Sequence, residues 1–145
     1  MEPDTSDLQR FVVAQAGTYE TALSELRSGR KQSHWIWFVL PQLKALGRSQ
    51  LASFYGISGR EEAAAYLRHP LLGPRLVECV STINQHAGKT AESMLGSVDA
   101  LKLHSCLTLF GAVAPDIAEF NLALERFYSG QRCERTLALL AAEDQ

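Results

Sequence analysis

Apolar residues recur at a helical spacing along most of the chain, and this constrains the fold more than any other feature. Tyr19, Ala22, Leu23 and Leu26 show it well, because positions i, i+3, i+4 and i+7 share one face of a helix. Gly29 follows, and glycine is a common residue just after a helix end. The pattern predicts an all-α fold.

Further helix starts and stops can be placed from capping residues. Ser58 with Glu61 three residues later forms the pattern of a capping box, Thr90 is a candidate N-cap, and Pro74 suits a helix start. Residues 47–58 are loop-like, with at most one short helical turn. We therefore predict a single compact domain over residues 1–145, with about seven to eight short helices packed orthogonally rather than as a simple up-down bundle. Residues 1–6 are expected to be flexible and 143–145 frayed.

Charge, apolar run length and cysteine spacing argue against several classes of protein. The formal net charge is −2 over 145 residues, which disfavours general nucleic-acid binding. No apolar run is long enough to span a membrane, and the amino-terminal residues lack a signal-peptide pattern. Cys79, Cys106 and Cys133 are widely separated, so they predict reduced thiols and no metal site. These features together predict a cytoplasmic protein.

The segment SGRKQSHWIWFVLPQL contains both tryptophans of the chain. An unbroken apolar run from Trp35 to Val39 follows Arg30, Lys31 and His34. Aromatic and β-branched residues suit a strand, whereas the proline that follows suits the end of a short buried helix. A lone strand would have no partner in a helical chain, so a short helix is favoured.

The cations beside the tryptophans suggest a binding site. Indole rings stack on flat groups and attract cations, while Arg30 and Lys31 can bind phosphate or carboxylate. His34 can transfer protons near neutral pH. Alternatively, the tryptophans fill the core and the cations form the solvated end of a helix. Because Trp35 and Trp37 are two residues apart, a helix would point them to different sides.

A second candidate lies in DALKLHSCLTLF. On a helix, a polar stripe of Asp99, Lys102, Ser105 and Cys106, which Thr108 could extend, crosses an otherwise apolar element. A polar stripe on a core helix needs partners, so it could form a pocket wall. It could equally face solvent. The nearby Arg48 can reach an anion, but its loop is a weak signal by itself.

Several motifs together resemble a known bacterial family. GRKQSHWIWFVLPQLKALGRS, LGPRLVEC and LKLHSCLTLF are similar to the domain of unknown function 1810, over about residues 7–142. The resemblance implies a small, mainly α-helical single-domain protein, and the activity of the family is not established. Some members are labelled calpastatin, but an inhibitor of that kind is a disordered, repeated chain, unlike this compact apolar sequence.

We therefore expect a pocket for an anionic, nucleotide-like small molecule between the tryptophan segment and the Lys102 helix. The expected ligand-binding residues are Arg30, Lys31, Trp35, Trp37, Gln42, Arg48, Lys102, Ser105 and Thr108. If the protein hydrolyses a nucleotide or ADP-ribose derivative, His34 is the expected general acid or base. The alternative is a non-catalytic binding or regulatory domain that acts through a protein partner on an exposed aromatic patch. The sequence indicates no particular cofactor.

Overall fold

The structure is a computed structural model that describes residues 8–144. The predicted flexible segment 1–6 and residue 145 lie outside the described residues. The α-helices are α1 (Gln9–Gln15), α2 (Tyr19–Ser28), α3 (Ile36–Val39), α4 (Gln50–Tyr55), α5 (Arg60–Arg68), α6 (Leu72–Asn84), α7 (Ala91–Leu95), α8 (Ser97–Val113), α9 (Ala118–Tyr128) and α10 (Glu134–Glu143). A 3-10 helix, Lys44–Leu46, lies between α3 and α4.

The all-α prediction is confirmed. Residues 8–144 contain no β-strand, and a single β-bridge joins Leu43 to Ile57. The tryptophan segment forms the short helix α3, with Trp35 as its N-cap residue, and not a strand. The described residues contain ten α-helices, more than the predicted seven to eight, and three of them, α3, α4 and α7, are only four to six residues long.

Helix α4 lies in the segment predicted to be loop-like. The Ser49 side chain caps it by accepting a hydrogen bond from the Ala52 amide at 3.0 Å. Ala52 is the one buried residue of α4. A helix with so small a buried face gives no apolar periodicity, which is why the sequence does not reveal its full length.

Two of the predicted helix boundaries are confirmed, at Gly29 and at Thr90. Gly29 adopts a left-handed φ of 72° after α2, and the Thr90 side chain caps α7 through the Ser93 amide. The capping box at Ser58 is wrong, because α5 begins after Gly59 with no side-chain cap. The Ser58 amide instead donates to the Glu62 carboxylate at 2.8 Å.

Helix α8 lies at the centre of the fold. It packs against α5, α7, α9 and α10, while α6 packs against α2, α5 and α9. Leu103, Leu107 and Phe110 of α8 are fully buried. Helix α10 also packs against the 3-10 helix. Within the described residues, no helix has the length and apolar character needed to cross a membrane.

Candidate functional site

Trp35 anchors the tryptophan segment in the core. Its ring is fully buried, and its indole nitrogen donates to the Glu25 carboxylate at 2.9 Å. The same carboxylate accepts hydrogen bonds from the amides of Gln32 and Ser33 and from the Ser33 hydroxyl. Partial burial acts to raise the pKa of Glu25, but these hydrogen bonds outweigh it and lower that pKa to about 2. Glu25 is therefore an ionised support for the loop that carries Lys31.

Two lysines share a single carboxylate beside the tryptophans. The Lys31 ammonium lies 2.7 Å from one oxygen of Asp99, and the Lys102 ammonium lies 3.2 Å from the other. The exposed fractions of these side chains are 7% for Lys31, 17% for Lys102 and 18% for Asp99. Burial acts to raise the pKa of Asp99, but the two ammonium groups lower it overall. Two positive charges and one negative charge leave an excess of one positive charge in a partly buried cluster.

Each lysine also lies over one indole ring. The Lys31 nitrogen is 4.9 Å from the centre of the Trp35 ring, and the Lys102 nitrogen is 4.3 Å from the centre of the Trp37 ring. Cations are attracted to the negative face of an indole at these distances. Trp37, unlike Trp35, is only half-buried. The pair of Lys102 and Trp37 therefore presents a cation and an aromatic ring at the surface.

A pocket of about 430 Å³ opens beside this pair, which we call the Trp37 pocket. Its polar lining comes from Trp37, Gln42, Lys102, Ser105, Cys133 and Arg135. Val98 and Leu101 add an apolar rim, with exposed fractions of 65% and 69%. Arg135 is exposed and forms no ion pair within residues 8–144, so its charge is also uncompensated. The pocket combines positive charge with an aromatic ring and an apolar edge.

The predicted site residues separate into four groups. Trp37, Gln42, Lys102 and Ser105 line the Trp37 pocket. Lys31 and His34 line a neighbouring pocket of about 400 Å³, which shares Val98 with the first. Arg30 and Arg48 are exposed and lie outside both linings, while Trp35 and Thr108 are fully buried.

Thr108 has a structural reason for its place in the core. Its hydroxyl donates to the His104 carbonyl at 2.8 Å and accepts the Cys133 amide at 2.9 Å. Both hydrogen-bonding roles are thus used inside the protein. Thr108 ties the start of α10 to α8 and positions Cys133, and it does not face a ligand.

Cys133 and Arg135 are pocket residues that the sequence did not reveal. They reach the pocket only because α10 packs on α8. The Cys133 sulfur lies 3.6 Å from the Ser105 hydroxyl. Partial burial acts to raise the pKa of this thiol, but the Thr136 and Ser105 hydroxyls and the amides of Thr136 and Arg135 together lower it. The sequence did contain a signal, because Cys133 directly precedes the helix-forming stretch ERTLALLAA.

His104 also lines the pocket, but its ring already has partners. It stacks on the Tyr128 ring with 4.3 Å between ring centres, and its Nε2 lies 2.7 Å from the Gln131 carbonyl. Because a carbonyl can only accept, Nε2 carries the proton. His104 therefore joins α8 to the end of α9 and to the loop before α10.

Another concavity, of about 340 Å³, lies beside Arg10 and Lys44 and is a poorer anion site. The Arg10 guanidinium is paired with Glu62 at 3.1 Å and donates to the carbonyls of Phe54 and Gly56. Its charge is compensated by a carboxylate that lines the same concavity. Lys44 leaves this concavity with positive charge as well, but the Trp37 pocket is larger and places the Lys102 ammonium over an indole ring, so it is the stronger candidate for an aromatic anion.

Comparisons with known proteins identify similar proteins and a matching family. The crystal structure of the conserved hypothetical protein Rv1873 from Mycobacterium tuberculosis is similar to this chain with a TM-score of 0.93 and 51% sequence identity, and the match covers 95% of this chain and 99% of that one. A search of curated proteins gave no match. The family model described as "Protein of unknown function (DUF1810)" matches residues 5–140. The chain therefore belongs to the DUF1810 family.

Proposed function

We propose that the Trp37 pocket binds a small anionic molecule that carries a flat aromatic group, such as a nucleotide. The observation that carries this proposal is the shared carboxylate of Asp99, which leaves one of two lysine charges uncompensated at the pocket wall. Charge in a partly desolvated wall acts more strongly on a ligand than the same charge in water. Arg135, in α10, adds a second cation to the lining of the pocket.

The lining also fits the rest of such a ligand. Trp37 can stack on a base, and Gln42 and Ser105 offer hydrogen-bonding groups near it. Val98 and Leu101 give an apolar edge. A volume of about 430 Å³ is within the range of small-molecule sites.

Hydrolysis of the bound molecule requires a general acid or base. His34 lines the neighbouring pocket and not the Trp37 pocket, so it could act only on a ligand that extends past Val98. The hydrolytic form of the proposal is therefore restricted to ligands long enough to reach both pockets.

We also propose that the protein is located in the cytoplasm. Its three free cysteines support this location, since thiols stay reduced in the cytoplasm.

A thermal-shift screen tests binding. The compounds are nucleotides, NAD, ADP-ribose and simple inorganic anions, because binding to the native state raises the melting temperature. Lys102→Met removes one of the two lysine charges that share Asp99, and Lys89→Met makes the same change at an exposed site outside the pocket. We expect a shift in the wild type and in Lys89→Met that Lys102→Met loses. No shift with any compound, or an equal shift in all three proteins, contradicts the proposal.

Any compound that binds is then incubated with the protein and followed for product. His34→Ala is the matched variant, and its exposed side chain makes it a mild change to the fold. Turnover by the wild type that His34→Ala loses, with binding retained, supports the hydrolytic form. Binding without turnover leaves a binding domain.

A second candidate is docking of a protein partner. Val98 and Leu101 lie one turn apart on α8 and are both largely exposed, which forms an apolar edge beside the cations. A short partner segment with an apolar residue and a carboxylate would fit this edge. Val98→Ser together with Leu101→Ser weakens a partner much more than a small anion, and this difference separates the two candidates.

A further inference from the structure

Cys133 differs from the other two thiols in its surroundings. Cys79 and Cys106 are fully buried, and burial raises the pKa of both, that of Cys79 to about 12. Cys133 is only partly buried and lines the Trp37 pocket. Buried thiols in apolar surroundings are inert, so Cys133 is the accessible thiol among the three.

The start of α10 holds the Cys133 sulfur in a polar setting. Cys133 is the N-cap residue of this ten-residue helix; its side chain makes no capping hydrogen bond of ordinary geometry, but the positive end of the helix dipole favours a negative charge there. Its own amide is fixed by the Thr108 hydroxyl at 2.9 Å. The Ser105 hydroxyl approaches the sulfur from α8 at 3.6 Å. The sulfur is therefore positioned by two helices.

The Thr136 hydroxyl is a further polar group beside the Cys133 sulfur. The Thr136 side chain is fully buried, and its hydroxyl forms no hydrogen bond of ordinary geometry within residues 8–144. It nevertheless lies close enough to Cys133 to stabilise a negative charge on the sulfur. A neutral thiol is a weak acceptor, whereas a thiolate is a strong one. Ionisation of Cys133 would thus make the sulfur a stronger acceptor for this buried hydroxyl.

We propose that Cys133 is a site of reversible thiol modification and that its reaction partner is a small anionic disulfide held in the Trp37 pocket. The anionic part of this inference rests on the proposed function, because Lys102 and Arg135 would hold the negative charge. The Cys133 thiol loses its proton to solvent, and the thiolate attacks one sulfur of the disulfide. A new bond forms between Cys133 and that sulfur, the original sulfur–sulfur bond breaks, and the second half leaves as a thiolate. The disulfide is itself the oxidant, and a second thiol reverses the step.

Labelling with two aromatic disulfides tests this inference. Dithiobis(nitrobenzoate) is anionic and dithiodipyridine is neutral at pH 7.5, and peptide mapping by mass spectrometry identifies the labelled cysteine in the folded wild type. We expect Cys133 to be labelled before Cys79 or Cys106 by both reagents, and faster by the anionic one relative to a free thiol in solution. Cys133→Ser should lose this label, and serine is a favoured N-cap, so the variant should keep its melting temperature.

Arg135→Gln tests the part played by charge. It should lower the rate with dithiobis(nitrobenzoate) by about threefold, the size of one charge interaction in a hydrated site, and leave the rate with dithiodipyridine nearly unchanged. Arg27→Gln, a matched change on the exposed surface of α2, should alter neither rate.

The two proposals can fail separately. If Cys133 reacts no faster than the buried cysteines while anions still shift the melting temperature, the thiol inference is overturned and the binding proposal stands. If Cys133 reacts quickly with both reagents and Arg135→Gln has no selective effect, the proposal of an anionic reaction partner is overturned. The role of the pocket cations in this reaction is then overturned with it.

Discussion

The indole nitrogen of Trp35 donates a 2.9 Å hydrogen bond to the carboxylate of Glu25. This contact joins α2 to the start of α3, and the same carboxylate accepts three further hydrogen bonds from Gln32 and Ser33. The loop that carries Lys31 is therefore held from one side by a single ionised group.

Glu25→Gln should destabilise the fold. The amide keeps the size of the side chain but loses the charge and cannot accept at both ends, so several hydrogen bonds to the loop weaken. We expect a loss of about 1–2 kcal/mol in the free energy of unfolding, because the carboxylate is only partly buried. Urea denaturation measures it. Glu20→Gln on the exposed face of the same helix is the control and should change little.

Stability should also fall in acid through the same group. The pKa of Glu25 is lowered from 4.5 to about 2 in the folded protein, so the charged form is favoured by folding. Its contribution is therefore fully present above about pH 4.5 and is lost as the pH falls toward about 2. Glu25→Gln should show a shallower decline than the wild type over this range. Parallel curves for the two proteins would contradict the assignment.

Asp99→Asn should have opposite effects on stability and on anion binding. Without the carboxylate, the nearly buried ammonium of Lys31 loses its ion-pair partner, and we expect a cost of about 2 kcal/mol. The positive charge at the pocket wall rises at the same time, so anions that bind should bind more tightly. Calorimetric titration alongside denaturation tests both effects. Weaker anion binding in a folded Asp99→Asn protein would argue against the pocket.

The two tryptophans should respond differently to truncation. Trp35→Ala removes a fully buried ring and should cost about 3–5 kcal/mol, whereas Trp37→Ala removes a half-buried ring and should cost less than half as much. Trp37→Ala should nevertheless lose the ligand-induced thermal shift. Equal destabilisation by the two changes would show that Trp37 is a core residue and not a pocket wall.

Gly73 should not tolerate a side chain. A Cβ atom there would lie 2.1 Å from the Leu67 carbonyl oxygen, so the backbone of α5 or α6 must move. Gly73→Ala should cost at least about 2 kcal/mol by overpacking. Gly88→Ala is the matched control, because nothing lies within 4 Å of its added Cβ. Thermal denaturation of the two variants measures the difference.

Local patterns predicted the helices, but tertiary contacts decided the site. Gly29 and Thr90 act as predicted because their roles depend on neighbouring residues. The capping box predicted for Ser58 and Glu61 does not form. Glu62, the residue after Glu61, instead accepts a hydrogen bond from the Ser58 amide and pairs with the distant Arg10. No spacing rule contains a partner that lies 52 positions away.

The same limit applies within the pocket. Lys102 and Ser105 were predicted from their spacing on one helix, and they share the pocket wall. Thr108 belongs to the same stripe, yet it is buried against Cys133. The sequence could not separate them, because a hydroxyl that faces a ligand and one that binds a backbone amide occupy the same helical spacing. Arg135 was missed because only the packing of α10 on α8 brings it there.

The Trp37 pocket is lined by three stretches of chain that are far apart in sequence, around α3, at the start of α8 and at the start of α10. None of these stretches can form the pocket alone. Occupancy is consequently a property of the complete fold, and a bound ligand acts as a non-covalent staple between the amino-terminal half and the last helix. Detachment of α10, by local unfolding or by a protease, would abolish binding before the rest of the core is lost.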